Sequence, residues 1–390
     1  MDNKNQSADL SAVELEYAPS PLPREVFVHH IELLLDPKHI HNLETMIDLA
    51  EKEQQNKFAY FNDVEIIYYF VHLEKDMDQT KNRKPSTKRV YLHEILTFCQ
   101  TLVKNAEEFD LQIKAIQQQS SLLKALEPWN IRRYGIHLQQ APLGRAGEPY
   151  KVASLAKKTT ILKSFLKFLY ERGYIEKLLH QELKKSSVRS EDRPDRDLTL
   201  SEVQEILNYY REQNHIVNYT ILLFLATTGL RIKELTSAKV KDLQYIEGQY
   251  WLNAMGKRDK ERQVYISPQL LKAIIQFRRN RGYDTRIGSG DESPLLMTLR
   301  GKPYNSNQLS NQVTKMIQDT SLPFLQHREN PVTAHTFRHF FAIAAASRGV
   351  EITKIQRTLA HDSILTTQIY LEKHLKRQDN AALSFADDLE

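Results

Sequence analysis

The sequence predicts a mainly α fold with a small antiparallel β-sheet, an α+β arrangement spread over more than one domain. Apolar residues recur at helical spacing through most of the 390 residues. Two β-forming runs, QYWLNAM and ERQVYIS, flank the polar turn GKRDK. Between the helical stretches lies KKSSVRSEDRPDRD, residues 184–197, almost without apolar residues and containing Pro194, as an exposed interdomain linker would be. The length leaves room for two or three separate cores.

Taken in order, residues 1–25 carry Pro19, Pro21 and Pro23 and are expected to form a mobile N-terminal tail. HIHNLETMIDLAEKEQQ and NDVEIIYYFVHLEKDM have helical patterning and make residues 26–85 a helical extension of unassigned role, broken at DQTKNRKP. Ser86 is the expected N-cap of the next helix, whose Val90, Tyr91, Ile95, Phe98 and Leu102 form an apolar stripe. SLAKKTTILKSFLKFLYERG reads as a further helix closed by Gly173, so residues 86–183 form a helical domain. Beyond the linker, residues 198–390 open with a capping box, Thr199 and Glu202. IVNYTILLFLATTG is an apolar helix ending at Gly229, RIKELTSAK is helical, and the two β runs follow. The remainder is mainly helical down to the acidic FADDLE.

Composition narrows the function. No apolar run approaches the roughly 20 residues of a membrane span, and the polar first residues lack a signal peptide's regions, so a cytoplasmic protein is expected. The single Cys99 sits among apolar neighbours and reads as a small hydrophobe. Net charge is +5, but residues 151–190 hold ten Lys or Arg against three acids. Such a basic stretch attracts polyanions through phosphate neutralisation. Lys157, Lys158, Lys163 and Lys167 are the candidate phosphate contacts.

One helix poses a problem. TAHTFRHFFAIAAASRG, residues 333–349, has the apolar spacing and terminal glycine of a buried helix, yet its first turns hold His335, Arg338 and His339. An arginine is costly to bury unless an anion meets it, and residues three apart share a helix face. A zinc site of His335, His339 and His361 fits poorly, because the HExxH glutamate is missing and Arg338 would repel a cation.

The answer comes from other segments in order. TTGLRIKEL supplies Arg231, GKRDKER Lys257, AHTFRH His335 and Arg338, LAHDS His361, and TTQIYL Tyr370, with 23 residues from Arg338 to His361 and 9 from His361 to Tyr370. In this order they resemble the tyrosine recombinases, the phage integrase and Xer family of site-specific DNA recombinases. The resemblance is close from Leu198 to about Leu383 and looser over residues 86–183, which look like the family's helical, SAM-like core-binding domain. It implies a catalytic domain and a core-binding domain closing as a C-shaped clamp on duplex DNA, with four protomers on two recombination sites and room for an accessory DNA-binding protein. No cofactor, metal or membrane is implied. The NAALSFADDLE tail would dock on a neighbouring protomer.

The resemblance also assigns roles that chemistry makes sensible. Arg231 and Arg338 would fork onto the nonbridging oxygens of the scissile phosphate, bidentately and always charged. Tyr370 would be the nucleophile; a phenol has a pKa of about 10 in water and needs a proton acceptor, for which His335 is the candidate. His361 would donate a hydrogen bond to the phosphate, Lys257 would protonate the departing 5′ oxygen, with Lys260 as the alternative, and Glu234 would orient Arg231. Two rival functions are a type IB topoisomerase-like DNA-relaxing enzyme and a sequence-specific DNA-binding accessory protein that does not cleave.

Overall fold

The computed structural model describes residues 23–74, 76–189, 197–256, 261–287 and 290–378. The chain divides into two compact units, Met1–Arg193 and Pro194–Glu390. The tail 1–22, most of the linker (190–196), the hairpin tip 257–260 with Lys257 and Lys260, and the C-terminal stretch 379–390 lie outside the described residues.

The first unit contains α1 (Arg24–Leu35), α2 (Ile40–Lys52), α3 (Asp63–His72), α4 (Pro85–Lys104), α5 (Ala106–Phe109), α6 (Ile113–Gln119), α7 (Leu122–Ala125), α8 (Pro128–Gln140), α9 (Val152–Glu171) and α10 (Leu179–Glu182). α3 starts at a reciprocal cap, the Asn62 side chain accepting from the Glu65 N–H and the Glu65 carboxylate from the Asn62 N–H. α4 starts one residue before the expected cap. Pro85 occupies its first turn and Lys84 the N-cap position, because proline's fixed φ and missing N–H suit a helix start and leave Ser86 inside. Gly173, left-handed at φ +68°, follows α9.

This unit has a single continuous core. Ile66, Ile67, Phe70 and Val71 of α3 pack in one cluster with Ile95 and Phe98 of α4 and with Phe165 and Leu166 of α9. Residues 26–85 and 86–183 therefore share their packing. Buried Asp63, the first residue of α3, reinforces this: its carboxylate accepts from Ser121 Oγ (2.6 Å), the Leu122 N–H (2.7 Å) and Tyr174 Oη (2.8 Å). Cys99 is buried in the same core, and burial pushes its thiol pKa up.

The second unit contains α11 (Leu200–Glu212), α12 (Ile216–Thr228), α13 (Ile232–Ser237), β1 (Leu243–Ile246), β2 (Gln249–Met255), β3 (Glu261–Ile266), α14 (Pro268–Asn280), α15 (Ser306–Asp319), α16 (Pro323–Gln326), α17 (Ala334–Ala346), α18 (Ile352–Leu359) and α19 (Ile364–Gln378). The Thr199–Glu202 capping box opens α11 as the sequence indicates. α12 is apolar on all sides because it is central, packed by α11, α14 and α17. The antiparallel sheet runs in the order β1-β2-β3, with Leu252 opposite both Leu243 and Val264. β1 escaped the sequence reading, since four residues are too few to show alternation. Among the described residues no helix is long and apolar enough to cross a membrane.

The shared core of the first unit has a measurable consequence. Each fully buried side chain of α3 contributes about 1.5–3 kcal/mol, so the four named above together rival the whole stability of an ordinary domain, about 5–15 kcal/mol. A fragment of residues 86–183 is expected to show no cooperative melt by circular dichroism, whereas residues 23–189 should melt in a single transition. A sharp melt of the shorter fragment would refute the shared core.

Candidate active site

Five elements of the second unit bring their ends to one place. α12 stops at Gly229, whose left-handed φ of +60° needs glycine. A side chain there would also collide with Leu359 and Phe341, so α12 can approach α17 and α18 closely only without one. Arg231 stands at the N-cap of α13, and Glu234 one turn later accepts from its backbone N–H (2.9 Å) and its Nη1 (2.8 Å). α17 begins just after its N-cap Thr333, whose N–H donates to the Thr336 hydroxyl, with exposed His335 in its first turn. Arg338, one turn on, is only 1% exposed.

Arg338 donates through Nη1 to Gly229 O (2.7 Å) and through Nη2 to Leu359 O. Arg231 Nη2 reaches Ala360 O at 3.5 Å. A third guanidinium, that of Arg262 on β3, donates to Thr358 O and to Glu234 Oε2 (2.5 Å). Three consecutive carbonyls at the C-terminal end of α18 thus each face a different arginine. That end carries the helix's partial negative charge, which suits cations.

Tyr370 completes the site from α19. Its Oη lies 3.1 Å from His335 Nε2, within reach for proton transfer. The His339 ring stacks on the phenol at 3.8 Å and 29°, and His361 meets it edge-on at 5.0 Å. The structure thus gathers Arg231, Glu234, His335, Arg338, His361 and Tyr370, with His339 packed against the phenol.

The electrostatics call for an anion. Arg231, Arg262 and Arg338 bring three positive charges and Glu234 one negative, an excess of two among these residues. Burial and the other two arginines lower the pKa of Arg338 to about 10, so it remains charged at neutral pH. Burial alone would raise the Glu234 pKa, but Arg262 and then Arg231 hold it below its ordinary value. Burial, followed by the repulsion of Arg338, Arg231 and Arg262, drops the His361 pKa to about 3, which keeps its ring neutral. Among the described residues, Arg338 Nε, Arg262 Nε and His361 Nε2 are buried without a hydrogen-bond partner. Such atoms cost about 1–3 kcal/mol each unless something satisfies them, and phosphate oxygens are acceptors of the required kind.

Arg262 was not assigned a role from sequence, yet a signal was present. In ERQVYI it falls in register with Val264 and Ile266 on the inward face, and a charged residue on the buried face of an alternating strand asks for a partner. The basic helix α9 differs from expectation in the opposite sense. Lys158 Nζ is held by buried Glu94 (2.6 Å) over the Tyr150 ring, and Lys163 donates to Leu183 O (2.7 Å). These two serve the first unit's packing instead of an open basic surface. Lys157 pairs with Glu94 and Lys167 with Glu171, but both keep more than half of their side chains exposed.

The chain has relatives of known kind. Residues 196–377 match the model of the phage integrase family. Tyrosine recombinase XerA of Pyrococcus furiosus is 30% identical over 230 residues, 58% of this chain and 73% of its own. Among solved structures, XerH site-specific recombinase bound to palindromic difH substrate is 18% identical with a TM-score of 0.54, over 81% of this chain and 92% of that one. A lambda integrase tetramer bound to a Holliday junction is 14% identical with a TM-score of 0.53, over 75% and 73% of the two chains. At these identities the structures establish the shared fold.

The state of His361 gives stability a pH dependence. Its unfolded pKa is near 6.5 and its folded pKa about 3, so between those values the unfolded chain takes up a proton that the folded chain refuses. Stability is therefore lost as pH falls from about 6.5 toward 3. The urea midpoint of the second unit is expected to drop between pH 7.5 and pH 4.5, and His361→Gln, which cannot titrate, should flatten that drop. Identical pH profiles for the two proteins would show that His361 is not buried neutral.

Proposed function

The chain belongs to the phage integrase family, the tyrosine-type site-specific DNA recombinases, and from that premise we propose that Tyr370 cuts DNA by attacking a backbone phosphate. The observation that carries the proposal is the 3.1 Å contact between Tyr370 Oη and His335 Nε2 beside a buried cluster of arginines. His335 takes the phenolic proton as Oη bonds to phosphorus. The bond from phosphorus to the 5′ oxygen breaks, and Lys257 supplies that oxygen with a proton. The products are a 3′-phosphotyrosyl link and a 5′ hydroxyl, which conserve the bond for rejoining. Attack by the 5′ hydroxyl of another strand reverses the steps and exchanges the strands.

The charge of the site suits the transition state better than the ground state. A phosphodiester carries one negative charge, and bond formation to a phenolate brings a second, matching the double positive excess. Arg231 and Arg338 retain N–H groups for nonbridging oxygens, with His361 as a further donor. Groups already held in place for a charge that develops during reaction are the largest source of rate in such transfers.

Strand exchange between two duplexes calls for four protomers, and a groove favours that assembly. A cavity of about 850 Å³ between α11, α12 and α17 is lined by Leu207, Leu223, Phe340, Phe341, Arg211 and Arg348. The C-terminal stretch NAALSFADDLE of a neighbouring copy is the occupant we propose for it, because its sequence combines apolar Leu383 and Phe385 with acidic Asp387 and Asp388. Lys157 and Lys167 are the proposed contacts to DNA backbone, a reading supported by the exposure of more than half of each side chain.

A nicked suicide duplex tests the reading. The parent protein should form a covalent adduct, while Tyr370→Phe, which removes one oxygen, should bind the same DNA and form none; an adduct with Tyr370→Phe would move the nucleophile elsewhere. Lys257→Ala should cut slowly and recover when the 5′ leaving oxygen is replaced by sulfur, which departs without a proton. Failure to recover would remove Lys257 from that role, and recovery of Lys260→Ala instead would assign it there. Exchange of flanking DNA between two sites separates a recombinase from a DNA-relaxing enzyme, and the adduct separates both from a protein that only binds.

A further inference from the structure

His361 is held by a group outside the catalytic series. Its Nδ1 lies 2.8 Å from the hydroxyl of Thr367, which is fully buried on α19. Elsewhere in the unit, buried helical threonines use their hydroxyls otherwise: those of Thr220 and Thr228 donate to the carbonyl one turn back, Ile216 O and Phe224 O. Thr367 instead directs its hydroxyl at an imidazole. It also stands one turn before Tyr370, so one helix face presents both the nucleophile and the group that touches His361.

A hydroxyl can donate or accept, so distance alone leaves two arrangements for this pair. The ring is neutral and carries one proton. If the proton were on Nδ1, a bare Nε2 lone pair would face the site, and a phosphate, which only accepts, would leave it unsatisfied. With the proton on Nε2 the ring donates to phosphate, and the partnerless Nε2 is explained as a donor awaiting that oxygen. We propose that Thr367 is a positioning residue that donates its hydroxyl proton to His361 Nδ1 and so places the imidazole's only proton on Nε2, facing the transferring phosphate. The assignment rests on the phosphotyrosyl reading above.

Two measurements on the full-length chain test it. Long-range proton–nitrogen spectra of histidine-labelled protein, with inorganic phosphate as the probe, should show His361 protonated at Nε2 and unprotonated at Nδ1; the opposite tautomer would overturn the proposal. In single-turnover cleavage of a nicked duplex carrying a sequence recovered from covalent adducts, Thr367→Val should be slower by at least about tenfold at saturating DNA, less than the roughly hundredfold lower end for deleting an oriented donor outright, because the imidazole itself remains. Its DNA affinity should stay within about twofold, since few ground-state contacts change. Thr367→Ser, which restores the hydroxyl, should recover most of the rate. Parental speed in Thr367→Val, or no recovery in Thr367→Ser, would sink the proposal. Absence of any adduct with the parent protein would instead remove the phosphotyrosyl reading, and the histidine spectrum, which does not depend on turnover, would then decide the Thr367 assignment alone. A Thr367→Val protein that fails to fold leaves both the spectrum and the serine variant as tests.

Discussion

The constraint on which the second unit depends is the gathering of three guanidiniums at the carbonyl end of one short helix. Arg262, Arg338 and Arg231 meet Thr358 O, Leu359 O and Ala360 O in sequence, and Glu234 bridges two of them. Like charges brought together out of water repel, and their desolvation is expensive. The helix terminus and one carboxylate offset part of that cost and leave the rest for an anion. The remaining geometry follows: α12 must end in a glycine for α18 to come close, α13 must start where Arg231 can reach, and β3 must turn a charged residue inward. The donors are thereby fixed before a phosphate arrives, the condition under which they need not reorganise during reaction.

Much of this was legible because catalytic groups leave residue types where ordinary packing would not put them. A polar first turn on the apolar helix α17 breaks local expectation, while an arginine just past a helix-ending glycine and a tyrosine nine residues after a histidine are each common by chance, and it is their shared order that supplies the family. What stayed hidden was pairing across long separations. Nothing local to SLAKKTT announces that Lys158 is claimed by Glu94, 64 residues earlier, and charge counting therefore overstated the open basic surface of α9. The capping assignment at Ser86 missed because Pro85 competes for the same helix start, and β1 because a four-residue strand is defined by its partner and not by its own pattern. Arg262 sat in plain view on the inward side of an alternating strand, but its meaning depends on Glu234, which reaches it only through the fold.

The same site shows where stability is given up. Ala360, the residue between α18 and His361, is left-handed at φ +47°, a conformation that costs a residue with a Cβ roughly 1–2 kcal/mol. His361 refuses a proton that the unfolded chain would accept. The unsatisfied nitrogens of Arg338 and His361 add their own penalties. Strain and unpaired polar groups concentrate at functional sites because the surrounding packing over-determines them, and here that packing is the main core formed by α12, α14 and α17.

Tyr370 is anchored differently from the arginines. Phe337 on α17 and the residues flanking Arg231 belong to the large core, whereas Tyr370 packs on a small separate cluster whose buried members are Ala342, Ile355, Leu359 and Leu371. Partly buried Phe341, Ile343, Val350 and Ile352 add to this cluster, which is still much smaller than the main core, so local opening of α19 costs less than disruption of the arginine pocket. The division fits the chemistry. On the reaction proposed above, phosphate stabilisation demands donors that do not move, while a nucleophile that breaks DNA is safest on the element whose position is easiest to withdraw. Leu359 connects the two, since its side chain belongs to the small cluster and its carbonyl receives Arg338. Seating α19 on α18 therefore also steadies the carbonyls that hold the arginines, and together with the Thr367–His361 contact it brings Tyr370 and the pocket into register.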